Sequence, residues 1–352
     1  MKKITFVIGG MTRGGAERVI SILANHYANK DWKVDIVLLL CNSVNYDLDK
    51  RIRIIDMSKK GSYFKNMPKW IIEFRKYVKC EKPNKIVSFI GRINMLVLTA
   101  TLGMNVPIIV SERNDPKHDG RGRILEAYSN FIYRFAQSII FQTEYEKSCF
   151  SPRLYDKSYI IPNPVNIMAA PKEVERLEIV TAGRLLPQKN HKMLIDAFEI
   201  LSNKYKDVNL KIYGAGALKS DLQKQIDDYG KSDVIQLCGN VIDLHEKISG
   251  ALAFVMTSEF EGLSNALIEA MMLGIPCIST NYPGADELII NEKTGILVPC
   301  DDVEALFKAM EKLIMDVDFR KELSKNAIRE SQNYDKEKVL SKWDAIIDIK
   351  EL

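Results

Sequence analysis

ITFVIGG (residues 4–10), AERVISILANHYAN (16–29) and VDIVLLL (34–40) follow one another in the first forty residues. Two short apolar runs flank an amphipathic segment. Such runs are too short for buried helices and too continuous for a half-exposed strand, so they predict parallel strands joined by a crossover helix. KIVSFI (85–90), PIIVSE (107–112) and SIIFQT (138–143) extend the same sheet. After IIPNPVN (160–166) the pattern restarts with LEIVTAGRL (177–185), NLKIYGAG (209–216), VIQLCG (234–239), AFVMTS (253–258) and PCISTN (276–281). Pro162-Asn163-Pro164 is stiff and lacks two backbone donors, which suits a linker. The expected fold is α/β, with two doubly wound Rossmann-like domains facing across a cleft. Ligands of open α/β sheets bind beyond the carboxyl ends of the strands.

Composition bounds the function. The 352 residues suffice for two domains, and 46% hydrophobic with 27% charged residues is a globular composition. No apolar run approaches the ~20 residues of a membrane span, and ITFVI is too short for a signal peptide. Six scattered cysteines without a C-x-x-C pair fit reduced thiols in a cytoplasm and argue against a cysteine zinc site. The net charge of +4 divides unevenly: residues 1–165 carry 27 Lys+Arg against 15 Asp+Glu, and the remainder 23 against 31. The N-terminal half is therefore expected to meet something anionic.

Candidate site residues follow from the strand ends. GGMTRGGAER (9–18) joins the first strand to a helix. It matches neither a Walker loop nor G-x-G-x-x-G, leaving open a phosphate loop, a sugar loop or a plain turn. Gly214 and Gly216 in IYGAG are expected to let the chain turn close to a ligand. Arg184 and Lys189 follow the first strand of the second half. A rigid donor fork and a mobile point charge suit a diphosphate. In EFEGLSNALIEAMMLGIPCIST (259–280), Ser264 is expected to cap a helix whose first amides, Leu263 to Ala266, attract an anion. Glu261 precedes that helix, and Glu269 lies roughly 8 Å along its axis from Ser264. Two carboxylates flanking a helix start fit one elongated ligand with sugar, diphosphate and ribose.

At this point the sequence resembles the retaining nucleotide-sugar glycosyltransferases of family 4, which have the GT-B fold. The resemblance spans essentially the whole chain and rests on GGAER (14–18), GRLLPQKN (183–190), YGAG (213–216), EGLSNALIE (261–269), GIPCIST (274–280) and TGILVP (294–299) in this order. It implies an N-terminal acceptor domain over 1–163, a donor domain over 164–334, and a helix of about 335–352 packing back on the first. It implies that Gly14 and Gly15 approach the donor diphosphate and that Arg184 and Lys189 neutralise it. Glu261 would contact the transferred sugar and Glu269 the ribose. Leu263, Ser264 and Asn265 would offer backbone amides, and Val241 would lie near the nucleobase. Where the family often has histidine, this chain has Arg113, in PIIVSERNDP. Arg113, Asn114 and Arg13 are therefore the candidate acceptor contacts.

The implied reaction moves a hexose or N-acetylhexosamine from a UDP-sugar, with retention, to a saccharide acceptor on a polyprenyl diphosphate. UDP-sugar is the substrate, and no cofactor or metal is expected. Residues 59–85 carry nine Lys+Arg with interleaved Tyr63, Phe64, Trp70, Ile71, Ile72 and Phe74. Such a segment suits either an anionic membrane or ordinary packing on the sheet. The expected setting is the cytoplasmic face of the cell membrane, peripherally. A UDP-sugar epimerase or a glycan phosphorylase would fit the same cleft. A nucleic-acid binder would use the basic half, but no recognition motif supports one.

Overall fold

A computed structural model describes residues 1–12, 14–167 and 169–349. The chain divides into two compact units: Met1–Pro164 with Lys336–Leu352, and Val165–Asp335. The predicted position 13 contact, Arg13, lies outside the described residues, as do the last three residues of the expected C-terminal helix.

Unit 1 holds seven strands, β1 (Lys3–Ile8), β2 (Lys33–Leu38), β3 (Arg53–Asp56), β4 (Lys85–Phe89), β5 (Ile108–Ser111), β6 (Ser138–Phe141) and β7 (Ser158–Ile160). All pair in parallel, in the order β3-β2-β1-β4-β5-β6-β7. Every residue of β1 and β4 is buried, as the uninterrupted apolar runs require of strands covered on both faces. Helix α1 (Gly15–Asn29) covers one face through Val19, Ile20, Leu23, Ala24 and Tyr27, at helical spacing. On the other face lie α2 (Tyr63–Glu81), α3 (Gly91–Thr101) and α4 (Gly122–Ile132), followed by the short α5 (Glu144–Ser148).

Unit 2 repeats the plan with β8 (Arg176–Ala182), β9 (Asn209–Tyr213), β10 (Ile235–Gly239), β11 (Ala251–Met256), β12 (Cys277–Thr280) and β13 (Ile296–Val298). Their order is β10-β9-β8-β11-β12-β13. Helices α6 (His191–Lys204), α7 (Lys219–Asp228), α8 (Leu244–Ile248), α9 (Asn265–Met272), α10 (Val303–Met315) and α11 (Val317–Ser331) clothe it. In both sheets the order reverses beside the first strand, between β1 and β4 and between β8 and β11. That reversal opens a crevice at the carboxyl ends. No helix among the described residues is long and apolar enough to cross a membrane.

The last helix, α12 (Lys336–Ile347), belongs to unit 1. Val339, Leu340, Trp343, Ile346 and Ile347 complete the α1 face of its core. Trp343 is fully buried and stacks on Phe89, with centroids 5.9 Å apart. Asp344 receives Tyr27 Oη at 2.8 Å and Lys30 Nζ at 2.6 Å from α1. Trp343→Ala is expected to cost about 3–5 kcal/mol of unit 1 stability, read from urea unfolding. Trp343→Phe should recover most of it, since the indole Nε1 makes no hydrogen bond.

Candidate functional site

Four loops gather at the carboxyl ends of β8 to β11. Gly183 N donates to Tyr213 O at 2.9 Å, Leu185 N to Ala215 O at 3.0 Å, and Gly214 N to Gly239 O at 2.8 Å. These bonds zip the loops after β8, β9 and β10 together. Gly214 has φ +133°, and a Cβ there would lie 1.9 Å from Gly183 O; one at Gly216 would lie 2.3 Å from Leu185 O. Gly214 and Gly216, expected to turn the chain close to a ligand, let their loop lie against the backbone of the loop that carries Arg184.

Across the crevice, the loop after β11 is tied to the loop after β8. Gln188 Nε2 donates to Phe260 O at 2.7 Å, Glu259 N to Gln188 O at 2.9 Å, and Thr257 Oγ1 to Lys189 O at 2.9 Å. Lys189 Nζ pairs with Glu261 Oε1, which also accepts from Ser258 Oγ at 2.7 Å. Both charged side chains are mostly buried, at 15% and 12% exposure. The two residues assigned from sequence to different parts of one ligand are therefore partners of each other. Arg184 is exposed on the same loop.

Ser264 caps α9, its hydroxyl accepting from Leu267 N, and Leu263 and Ser264 are buried at the helix start. The amides of that first turn have no intrahelical acceptor. Glu269 is buried on α9, and its Oε2 lies 3.3 Å from Nε2 of His245. His245 sits on α8, just past Val241, and sequence reasoning missed it. Its only signal was a histidine two residues into a short helical pattern after β10. Ser258 and Gln188 were missed as well, because only the fold brings them to Glu261 and its loop. Tyr282, after β12, is buried with its hydroxyl unbonded; burial and then the Glu261 charge push its phenol far above the usual range.

In unit 1, Gly14 is the N-cap of α1, in extended backbone, and its carbonyl accepts from Tyr46 Oη at 2.7 Å. A Cβ on Gly14 would lie 2.3 Å from the Glu17 carboxylate, so that helix start already has an acidic side chain folded over it. Gly15 is exposed as the first helical residue.

The acceptor role for Arg113 is corrected. The guanidinium is buried against the stacked rings of Phe89 and Trp343, 5.4 and 5.6 Å from their centroids. Its Nε donates to Ser111 Oγ and its Nη1 to Asn163 Oδ1, both at 2.8 Å. Burial lowers its pKa to about 10. Arg113 thus joins the end of β5 to the linker and to the returning helix rather than facing an acceptor. Asn114 is exposed beside it. In 59–85, Trp70 and Phe74 are fully buried in the core and Tyr63 and Ile71 pack on it, which corrects their reading as membrane aromatics. Phe64 and Ile72 remain exposed among the lysines.

Comparison with known proteins fits this geometry. Residues 13–168 match the family described as Glycosyltransferase Family 4, and residues 166–330 match Glycosyl transferases group 1. Two Rossmann-like units with this crevice make a GT-B protein, and the chain belongs to the family 4 glycosyltransferases. It is 28% identical over 97% of both chains to a GalNAc-alpha-(1->4)-GalNAc-alpha-(1->3)-diNAcBac-PP-undecaprenol alpha-1,4-N-acetyl-D-galactosaminyltransferase of Campylobacter jejuni. An uncharacterized glycosyltransferase of Haemophilus influenzae is 26% identical over 99% of this chain and 100% of its own. Among solved structures, sucrose-phosphate synthase of Thermosynechococcus elongatus aligns with a TM-score of 0.84 at 17% identity, over 98% of each chain. HepE of Anabaena in complex with UDP aligns at 0.81 and 18%, over 98% of this chain and 99% of that one.

Two outcomes test the local physics. His191, the first residue of α6, is held down to about pKa 4 by burial and then by the Lys189 charge. The unfolded chain, with histidine near 6.5, binds the extra proton between those values. Stability of unit 2 should therefore fall as pH drops from about 6.5 toward 4. His191→Leu should flatten that slope in unfolding titrations. Gly214→Ala should lower the thermal midpoint of unit 2, because positive φ and the Gly183 carbonyl both oppose a Cβ.

Proposed function

We propose that the protein transfers a hexose or N-acetylhexosamine from a UDP-sugar, with retention at the anomeric carbon, to a saccharide carried on a polyprenyl diphosphate. The observation that carries this reading is the layout along α9. One carboxylate, Glu261, precedes the helix start, a second, Glu269, lies a turn inside it, and Lys189 and Arg184 stand on the adjoining loop. Glu261 contacts the sugar hydroxyls and Glu269 the ribose, with Leu263, Ser264 and Asn265 offering amides and Val241 lying toward the base. The acceptor reading is supported by the Campylobacter jejuni relative, whose name specifies an undecaprenol-diphosphate-linked saccharide. The nucleotide reading is supported by HepE, a fold neighbour solved with UDP.

Breakage of the bond between the anomeric carbon and the diphosphate oxygen leaves negative charge on UDP. Arg184, Lys189 and the α9 start stabilise that charge as it develops, which requires no metal. The carboxylate of Glu261 is held by Lys189 and Ser258, so it serves better as a fixed hydrogen-bond acceptor for the sugar than as a nucleophile of a double displacement. The acceptor hydroxyl then attacks on the face the UDP leaves, and its proton passes to the departing phosphate oxygen.

The exposed side of α2, with Phe64 and Ile72 among Lys65, Lys69, Lys76 and Lys79, supports peripheral attachment to the inner face of an anionic membrane. A donor screen reading UDP release with polyprenyl-diphosphate-linked saccharides tests the whole reading; the anomeric proton of the product reports retention. Arg184→Ala and Glu261→Ala should each lower kcat/KM by about a hundredfold. Glu269→Gln should raise the donor KM about tenfold with kcat little changed. Full transfer by Arg184→Ala or Glu261→Ala would overturn the site assignment.

A further inference from the structure

Helix α4 carries more apolar side chains than its packing uses. On its inner side Ile132 and Ser129 are buried, and Leu125 and Tyr128 pack on the core. Ile124, Phe131 and Phe135 are nevertheless 85%, 50% and 55% exposed. Phe135 ends a 3-10 turn, Tyr133–Phe135, that continues the helix. Seven residues separate Ile124 from Phe131, two helical turns, and four more reach Phe135, so with Ala127 the three form one outward stripe. A helix that only covered the sheet would turn polar residues outward at these positions.

Cations border the stripe. Arg123 lies beside Ile124, and the Arg134 guanidinium sits over the Phe131 ring, 4.5 Å from its centroid. Phe131 and Phe135 meet edge to face at 6.0 Å. Lys157 adds a third cation, its Nζ donating to Arg134 O at 2.5 Å. Glu126, the acidic residue of α4, falls on the far side of the helix from the stripe. The same helical layer of unit 1 also contains α2, whose outward side shows Phe64 and Ile72 with four lysines. Apolar side chains rimmed by cations match an anionic interface, where the rings enter the acyl boundary and the cations meet phosphates. A second copy fits poorly, because a two-fold contact would set the same basic rims against each other.

We propose that the outward stripe of α4 and its 3-10 turn, Ile124, Phe131 and Phe135 with Arg123 and Arg134, docks this enzyme on the surface of an anionic lipid bilayer. This contact is separate from the α2 segment, and it rests on the membrane part of the functional reading but not on the sugar-transfer part. Docking there is non-covalent.

The test is co-sedimentation of the full chain with phosphatidylcholine vesicles containing about one third phosphatidylglycerol, a strongly anionic surface, and with phosphatidylcholine alone. Wild type should bind the anionic vesicles and release them as salt rises. Ile124→Glu/Phe131→Glu should weaken binding at least about tenfold, and Ile124→Ser/Phe131→Ser by less. Met315→Glu, an exposed apolar position in unit 2, should bind as wild type. Sugar transfer to a short water-soluble acceptor should be unchanged in all three variants. Wild-type binding by Ile124→Glu/Phe131→Glu would overturn the docking surface, as would a wild-type dimer made monomeric by that variant with no change in vesicle binding. If wild type ignores anionic vesicles yet elongates a polyprenyl-diphosphate acceptor in detergent, the docking surface falls and the transferase reading stands. Stripe-dependent vesicle binding without sugar transfer to any acceptor would leave the reverse.

Discussion

The pairing of Lys189 with Glu261 is the contact on which the site depends. Both groups are mostly removed from water, so neither is tolerated there without an opposite charge. The pair spans two loops that are far apart in the chain and adjacent only because β8 and β11 lie side by side where the strand order reverses. Gln188, Thr257 and Ser258 brace the same junction with neutral hydrogen bonds. Removing either partner strands the other charge in a place mostly shut off from water.

The same logic recurs one loop away. Glu269 Oε2 lies 3.3 Å from Nε2 of His245 on α8, a second contact between a glutamate of this segment and a nitrogen from another element. Helix α9 is thereby contacted at its approach by Lys189 from the loop after β8 and within its length by His245 from α8. Its first-turn amides are aimed by these tethers as well as by the Ser264 cap. A short helix of this kind gains little from its own propensity and takes its position from tertiary contacts.

Much of this was legible in the sequence. Continuous apolar runs such as ITFVI and AFVM report strands buried on both sides, and their alternation with amphipathic segments dictates parallel sheets with crossovers. Ser264 ahead of an apolar helix gave the cap. The partners of these carboxylates were not legible, because Lys189 and His245 reach them through strand order, which no local pattern encodes. Arg113 misled for a related reason. Its neighbours in sequence are polar, whereas its neighbours in space, Phe89 and Trp343, come from 24 residues before it and 230 after it. The aromatic and basic residues of 59–85 divide between two faces that the sequence alone does not separate: Trp70 and Phe74 serve the core, whereas Phe64, Ile72 and the lysines of α2 face outward.

The return of α12 to the first unit has a consequence for synthesis. When residue 164 leaves the ribosome, unit 1 still lacks the side chain that covers Phe89 and Arg113, and residues 165–342 must be made before Trp343 exists. At ordinary elongation rates that delay is roughly ten to forty seconds. The second unit is contiguous in sequence, so its native contacts become available before the first unit can close. The nascent chain is thus obliged to finish its later half before its earlier one, and for that interval an apolar seam on the first sheet is open to chaperones or to aggregation.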